Sequence, residues 1–276
     1  MESRILKNRF LSVTVLPERG GKLASLQYVP TGTELLAQPP CGFPALRPGM
    51  PFEEGDASGF DDVFPSMGEK ACMGRWEEVP DHGMVWTMPM QCCGEGKNLS
   101  LQFCAEGWDY RKTVQLDGSS LILSWTIRNV SDRAMPYTWV CHCLWQLDDD
   151  MRFFYPDADM VDVMDPEEKK CDAVLQPTRD GSMAKTYTAG RIREGRCGCM
   201  WPRRTLKMTM EWDAEKLPYL GFWITNGGWR GDRNFAFEPC LSFYDSLARS
   251  DASGTLRVMR AGEAAEFEIR IRIEEI

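Results

Sequence analysis

Apolar and polar positions alternate with a period of two along much of the chain. Leu11, Val13 and Val15 alternate with Ser12 and Thr14, and Leu121, Leu123, Trp125 and Ile127 fall on one face. Leu206, Met208, Met210 and Trp212 alternate with Lys207, Thr209 and Glu211. Phe267, Ile269, Ile271 and Ile273 alternate with Glu268, Arg270, Arg272 and Glu274. Successive side chains of a strand point to opposite faces, so each run predicts a half-buried strand with its apolar face in a core. Turn residues separate the runs: Pro30-Thr31-Gly32, Asp117-Gly118, Asp180-Gly181 and Ala261-Gly262-Glu263. Helical periodicity is almost absent. Residues 163–172 (VMDPEEKKCD) predict one short helix, with Pro166 at its first position and acidic residues in its first turn. Many strands and little helix predict sheet on sheet, an all-β fold built as a large antiparallel β-sandwich. No repeat, low-complexity tract or linker divides the chain, which predicts one domain over residues 1–276.

Composition narrows the functional classes. The net charge is −9, with no cluster of Lys and Arg, which argues against nucleic acid and anionic membrane as partners. No stretch approaches the roughly 18 apolar residues of a membrane span, and Met1–Phe10 has no apolar signal-peptide core. The expected compartment is therefore the cytoplasm. Eleven cysteines, an odd number, read as reduced and buried thiols and not as a disulfide framework. In Cys141-His142-Cys143 a strand puts both thiols on one face and the imidazole on the other, a poor geometry for a single zinc, so no metal site is expected.

The candidate chemistry is sparse. The sequence has only two histidines. His82 follows Pro80-Asp81 and precedes Gly83, at a turn or strand entrance. His142 alternates with Val140 and Leu144 on one strand face, where a core histidine bonded to a carbonyl is the ordinary alternative. Glu238 lies among Phe235, Ala236, Phe237 and Pro239. A carboxylate in such apolar surroundings is paired, at the mouth of a cavity, or raised in pKa by desolvation, unless it simply points outward from an edge strand. Residues 40–98, rich in Pro, Gly and Met, are the least regular part and form the kind of loop region where sites collect.

Taken together, several segments resemble the galactose mutarotase (aldose 1-epimerase) family. They are Val15 to Leu26, Gly59-Phe60-Asp61-Asp62-Val63-Phe64-Pro65-Ser66, His82-Gly83 followed by Trp86, the strand Trp139 to Leu144, and Glu238-Pro239-Cys240 with Asp245-Ser246-Leu247. The closing Ala261-Gly262-Glu263 before a last alternating strand also fits. The resemblance implies a β-supersandwich and an isomerase that interconverts sugar anomers by general acid–base ring opening. It implies Glu238 as the base on the anomeric hydroxyl, His142 as the acid on the ring oxygen, and His82 as a second histidine at that oxygen. It implies a small-molecule sugar as the partner and no cofactor. Trp86 and Trp229, beside turn residues, are the first-ranked aromatic platforms for sugar C–H faces, ahead of Trp139, Trp145 and Trp223.

The chain also departs from that family. Better-studied members carry an arginine in the early loop, often after an asparagine, where this chain has Asp61 and Asp62. The acidic pair is expected either to accept hydroxyls of a neutral sugar or to sit in a solvated turn. It disfavours a phosphorylated sugar unless Arg47, Arg75 or Arg230 offsets it. An Asp-His segment common between the second histidine and the glutamate is missing, with Asp157 or Asp159 as weak replacements. The altered loop keeps open a second function, a non-catalytic carbohydrate-binding or sensing protein on the same fold.

Overall fold

The computed structural model describes residues 2–46, 50–55, 58–67, 80–94, 96–165, 167–171, 173–243 and 247–276. Among them, two large antiparallel sheets carry almost all the regular structure, one of twelve strands and one of eight. The alternating runs become the strands Leu11–Leu16, Ser120–Asn129, Leu206–Trp212 and Ala264–Glu275. Their apolar faces, with Leu11, Leu123, Met208 and Ile271 among them, are fully buried in one core between the sheets. The Asp117-Gly118 turn closes a two-residue hairpin in which Asp117 pairs with Ser120, and Gly118 takes the left-handed backbone that favours glycine. The expected β-sandwich is the fold observed. No helix among the described residues is long and apolar enough to cross a membrane.

The helix expected over 163–172 does not form among its described residues. Met160–Asp162 and Lys170–Cys171 are instead antiparallel strands, with Met160 opposite Cys171. The Asp165 carboxylate accepts the Glu167 backbone N–H at 2.9 Å, and Glu168 takes a left-handed φ of 50°. An Asp side chain that caps the N–H two residues on closes a turn as readily as it starts a helix, and here the hairpin wins. Pro166 and Asp172 lie outside the described residues.

The larger sheet is the one that positions chemistry. Its strands run in the order Leu11–Leu16, Lys22–Tyr28, Phe60–Val63, Val140–Cys143, Arg233–Cys240, Tyr219–Asn226, Met183–Thr188. One face packs on the smaller sheet. The opposite face, near the middle of the sheet, is covered by the irregular segment that includes the short helix Phe52–Gly55 and residues 80–90.

Asp62 points through the sandwich. Its carboxylate accepts Tyr110 Oη and Trp125 Nε1, both at 3.0 Å, and pairs with Lys112 Nζ at 3.1 Å. Lys112 interrupts the inward series Trp108, Tyr110, Val114 and Leu116 of the strand Trp108–Asp117, and its ammonium lies 4.8 Å from the Phe60 ring centroid. Burial, and then the Asp62 charge, push the Tyr110 phenol well above its ordinary pKa, so it stays a donor to Asp62. Tyr110 Oη in turn accepts Trp139 Nε1 at 3.0 Å. The network joins the two sheets. Lys112→Met is expected to cost about 3–5 kcal/mol in urea unfolding, because it strands the Asp62 charge. The double change Lys112→Met with Asp62→Asn is expected to recover part of that loss, and an unchanged midpoint in the single variant would contradict the assignment.

Candidate functional site

One row of cross-strand neighbours builds the floor of the site. Asp61 pairs with His142. Val140 pairs with Cys240 and Trp145 with Phe235, a register that sets His142 beside Glu238. Glu238 pairs with Gly221, and Gly221 with Tyr187. Directly opposite residues share a face, with Cβ atoms about 4.5–5.5 Å apart. Asp61, His142, Glu238 and Tyr187 therefore lie in line on the face away from the sandwich core, while Asp62, Cys141 and Cys143 take the core face.

A cavity of about 300 Å³ opens over this row, at the lower end of the range for small-ligand sites. Its lining includes Phe52, Glu53, Asp81, His82, His142, Lys185, Trp223, Trp229 and Glu238. Glu238 is completely buried, and its Oε2 is held by the Lys185 ammonium. Gly221 makes room for this carboxylate, since a Cβ there would lie 3.0 Å from Glu238 Oε2 and from the Tyr187 ring.

The two imidazoles meet edge to face, with ring centroids 5.2 Å apart. Phe52 stacks on His82 at 3.7 Å and presents its edge to His142 at 5.3 Å. His142 is buried, and its Nδ1 has no hydrogen-bond partner among the described residues. Desolvation is the main cause that pushes its pKa well below the usual imidazole value, with the charges of His82, Lys185 and Lys22 adding. His142 is therefore neutral at neutral pH. His82 differs: its Nδ1 lies 2.8 Å from Asp81 Oδ1. The hydrogen bond from His82 is the largest cause that lowers the Asp81 pKa, which keeps that carboxylate ionised. His82 has a left-handed φ of 57°, uncommon outside glycine, followed by Gly83 at 72°. The Phe64 carbonyl accepts Met84 N–H at 2.8 Å, and a Cβ on Gly83 would come within 2.1 Å of that same oxygen. This turn is what aims His82 at the cavity.

Of the residues expected from the sequence, Glu238, His142, His82 and Trp229 line this one cavity. Three do not. Trp86 is buried behind the wall, donates Nε1 to the Asp81 carbonyl at 3.1 Å, and meets Phe52 edge-on at 5.2 Å. It supports the site and offers no sugar platform. Asp61 and Asp62 are neither a solvated turn nor hydroxyl acceptors in the cavity. Asp61 is bound by Lys22 Nζ at 2.5 Å, and Asp62 is committed to Lys112, Tyr110 and Trp125, because strand alternation sends one to each face and a buried carboxylate needs partners. Asp157 and Asp159 are exposed, with Asp159 paired to Lys170. Trp139 and Trp145 are core residues, whereas Trp223 lines the cavity. Arg230 sits over the Trp229 ring at 5.0 Å and donates to the Glu53 carbonyl, joining two walls of the mouth. Arg47, Arg75 and Asp245-Ser246 lie outside the described residues.

Sequence reasoning missed Lys185, Phe52 and Asp81. Lys185 carries no local signal, being one lysine in an alternating strand. Phe52 lies in the irregular segment where no period applies. Asp81 alone was legible, as the acidic neighbour of His82.

Known proteins match this chain at the level of structure. No family model matches the sequence, and no curated protein does. The Slr1438 protein of Synechocystis sp. PCC 6803 superposes with a TM-score of 0.79 at 17% identity, covering 100% of this chain and 96% of its own. An Escherichia coli K12 protein proposed to be an aldose 1-epimerase has a TM-score of 0.75 at 16% identity, covering 100% and 99%. A galactose mutarotase related enzyme from Lactobacillus acidophilus has a TM-score of 0.75 at 12% identity, covering 99% and 98%. Two packed antiparallel sheets, with a ligand-sized cavity on the outer face of the larger one and near-complete mutual coverage with these structures, make this chain a divergent protein of the galactose mutarotase-like fold.

Proposed function

We propose that the protein is an aldose 1-epimerase-like isomerase that interconverts the anomers of a small sugar. The observation that carries this reading is that Glu238, His82 and His142, far apart in sequence, line one cavity of monosaccharide size. Glu238 accepts the proton of the anomeric hydroxyl while a second group protonates the ring oxygen. The bond between C1 and the ring oxygen breaks and gives the open-chain aldehyde. Rotation about C1–C2 and closure on the other face, with both protons returned, gives the other anomer. Two positioned groups suffice for this chemistry, each typically supplying about 10²–10⁴-fold, and neither a metal nor a cofactor is called for.

The electrostatics support exchanging the roles that the resemblance implies for the two histidines. Burial disfavours a positive charge on His142. His82 instead has the Asp81 carboxylate 2.8 Å from its Nδ1, a partner that orients the ring. In this reading His82 with Asp81 is the proton donor to the ring oxygen, and neutral His142 contributes a hydrogen bond. Trp229 at the mouth offers the aromatic face for sugar C–H groups.

The contact between Lys185 and Glu238 favours one alternative, a protein that binds sugar without turnover, because it engages the carboxylate that would act as base. NMR exchange or polarimetry on fresh α-anomers of glucose and galactose separates the two. Isomerase action predicts exchange above the buffer rate, and Glu238→Gln is expected to lower it by about 10²–10⁴-fold. Exchange unchanged in Glu238→Gln means the base is wrongly assigned. Heat of sugar binding by calorimetry, with exchange at the buffer rate, selects the binding protein.

A second prediction follows from His142. Its unfolded-state pKa is near the ordinary 6.5, whereas its folded-state pKa is depressed. As pH falls through that window the unfolded chain takes up a proton that the folded chain refuses, so stability falls with falling pH. His142→Gln is expected to flatten part of the decline in urea midpoint between about pH 7 and pH 5. A parallel decline in both proteins would show that His142 does not titrate as assigned.

A further inference from the structure

Lys185 reaches Glu238 from outside its own row. It pairs with Trp223, and Trp223 pairs with Ala236, so the directly opposite neighbours of Lys185 do not include the glutamate. The side chain instead runs diagonally across the strand Tyr219–Asn226 to Glu238 Oε2, where Gly221 presents no side chain to block it. Its ammonium lies 5.6 Å from the Tyr187 ring, a further neighbour that favours a cation there. The pair is desolvated, with Glu238 fully buried and Lys185 only 12% exposed, at the cavity wall. A buried carboxylate of this kind is unfavourable unless a cation or donors compensate it.

We infer that Lys185 is the positioning residue of the site: its ammonium keeps Glu238 ionised and aims the carboxylate into the cavity. The inference rests on the reading of Glu238 as the base. It adds that the acidic limit of activity is set from the strand Met183–Thr188 and not by Glu238 alone. The groups facing Glu238 make this specific. His142 stands beside it on the strand Val140–Cys143 and is neutral, and Tyr187 lies beyond Gly221 in the row. His82 with Asp81, and Glu53, face it across the cavity, and the Asp61–Lys22 pair lies further along the row. Asp81 is engaged by His82 and Lys22 by Asp61, which leaves Lys185 as the cation in direct contact with Glu238 among these groups. A paired carboxylate is a weaker base than an isolated buried one. That suits a reaction that hands the same proton back on ring closure.

The test uses Lys185→Met, close in length and uncharged, and Lys185→Arg. In protein labelled with ¹³C at glutamate carboxyls, the Glu238 resonance, assigned by its loss in Glu238→Gln, is followed over about pH 4–9. Its titration is expected to move to higher pH in Lys185→Met and to return toward the wild-type position in Lys185→Arg. Anomer exchange by Lys185→Met is expected to fall about 10–100-fold at the acid end, with the deficit closing as pH rises. An identical Glu238 titration in folded wild type and Lys185→Met overturns the inference, as does a loss of exchange that is uniform with pH. If Lys185→Met does not fold, the same titration in Lys185→Gln decides. A titration that moves while no sugar is turned over even by the wild type upholds the role of Lys185 and rejects the isomerase reading.

Discussion

The site depends on a single register. With Val140 opposite Cys240 and Trp145 opposite Phe235, His142 comes to lie beside Glu238, and the pairs Asp61–His142, Glu238–Gly221 and Gly221–Tyr187 extend that line across five strands. A slip of one residue in either central strand would send Glu238 or His142 to the opposite face, because side chains alternate with a period of two. The register is held by what the other face does. Cys141 and Cys143 are committed to the core, and Phe235 and Phe237 pack there with Phe222 and Phe153. Hydrophobic burial on one side of the sheet thus holds polar chemistry on the other.

Charge is handled by the same alternation. Asp61 and Asp62 are adjacent, yet one is held by Lys22 on the site face and the other by Lys112, Tyr110 and Trp125 between the sheets. Each buried carboxylate has a lysine from a different strand, and Glu238 with Lys185 repeats the device inside the cavity. Removing one partner of such a pair costs more than the pair contributes, since the remaining charge is left in a poor solvent.

The loop side of the cavity completes what the sheet cannot supply. His82 reaches the site through a left-handed backbone turn locked by Gly83 against Phe64, and Phe52 lays its ring on both imidazoles. Asp81, bound to His82 and carrying the Trp86 indole on its carbonyl, gives the two histidines unequal surroundings. Unequal surroundings let two identical residue types serve different proton roles.

The sandwich was legible in the sequence because burial of a two-sheet core leaves a direct imprint, an apolar residue at every second position, as in Phe267, Ile269, Ile271 and Ile273. Glu238 and the two histidines were legible for a related reason: a titratable group among aromatic residues, or beside glycine at a turn, departs from the local pattern. Tertiary structure alone decided their company. Lys185 looks like any strand lysine until an intervening strand and a missing side chain at Gly221 bring it to Glu238. Asp62 resembles a surface acid until Lys112 arrives from the other sheet. Alternation along one strand is a local property that a sequence records. Which residues stand opposite across several strands is a sum of registers, and each register is fixed by packing between segments far apart in the chain.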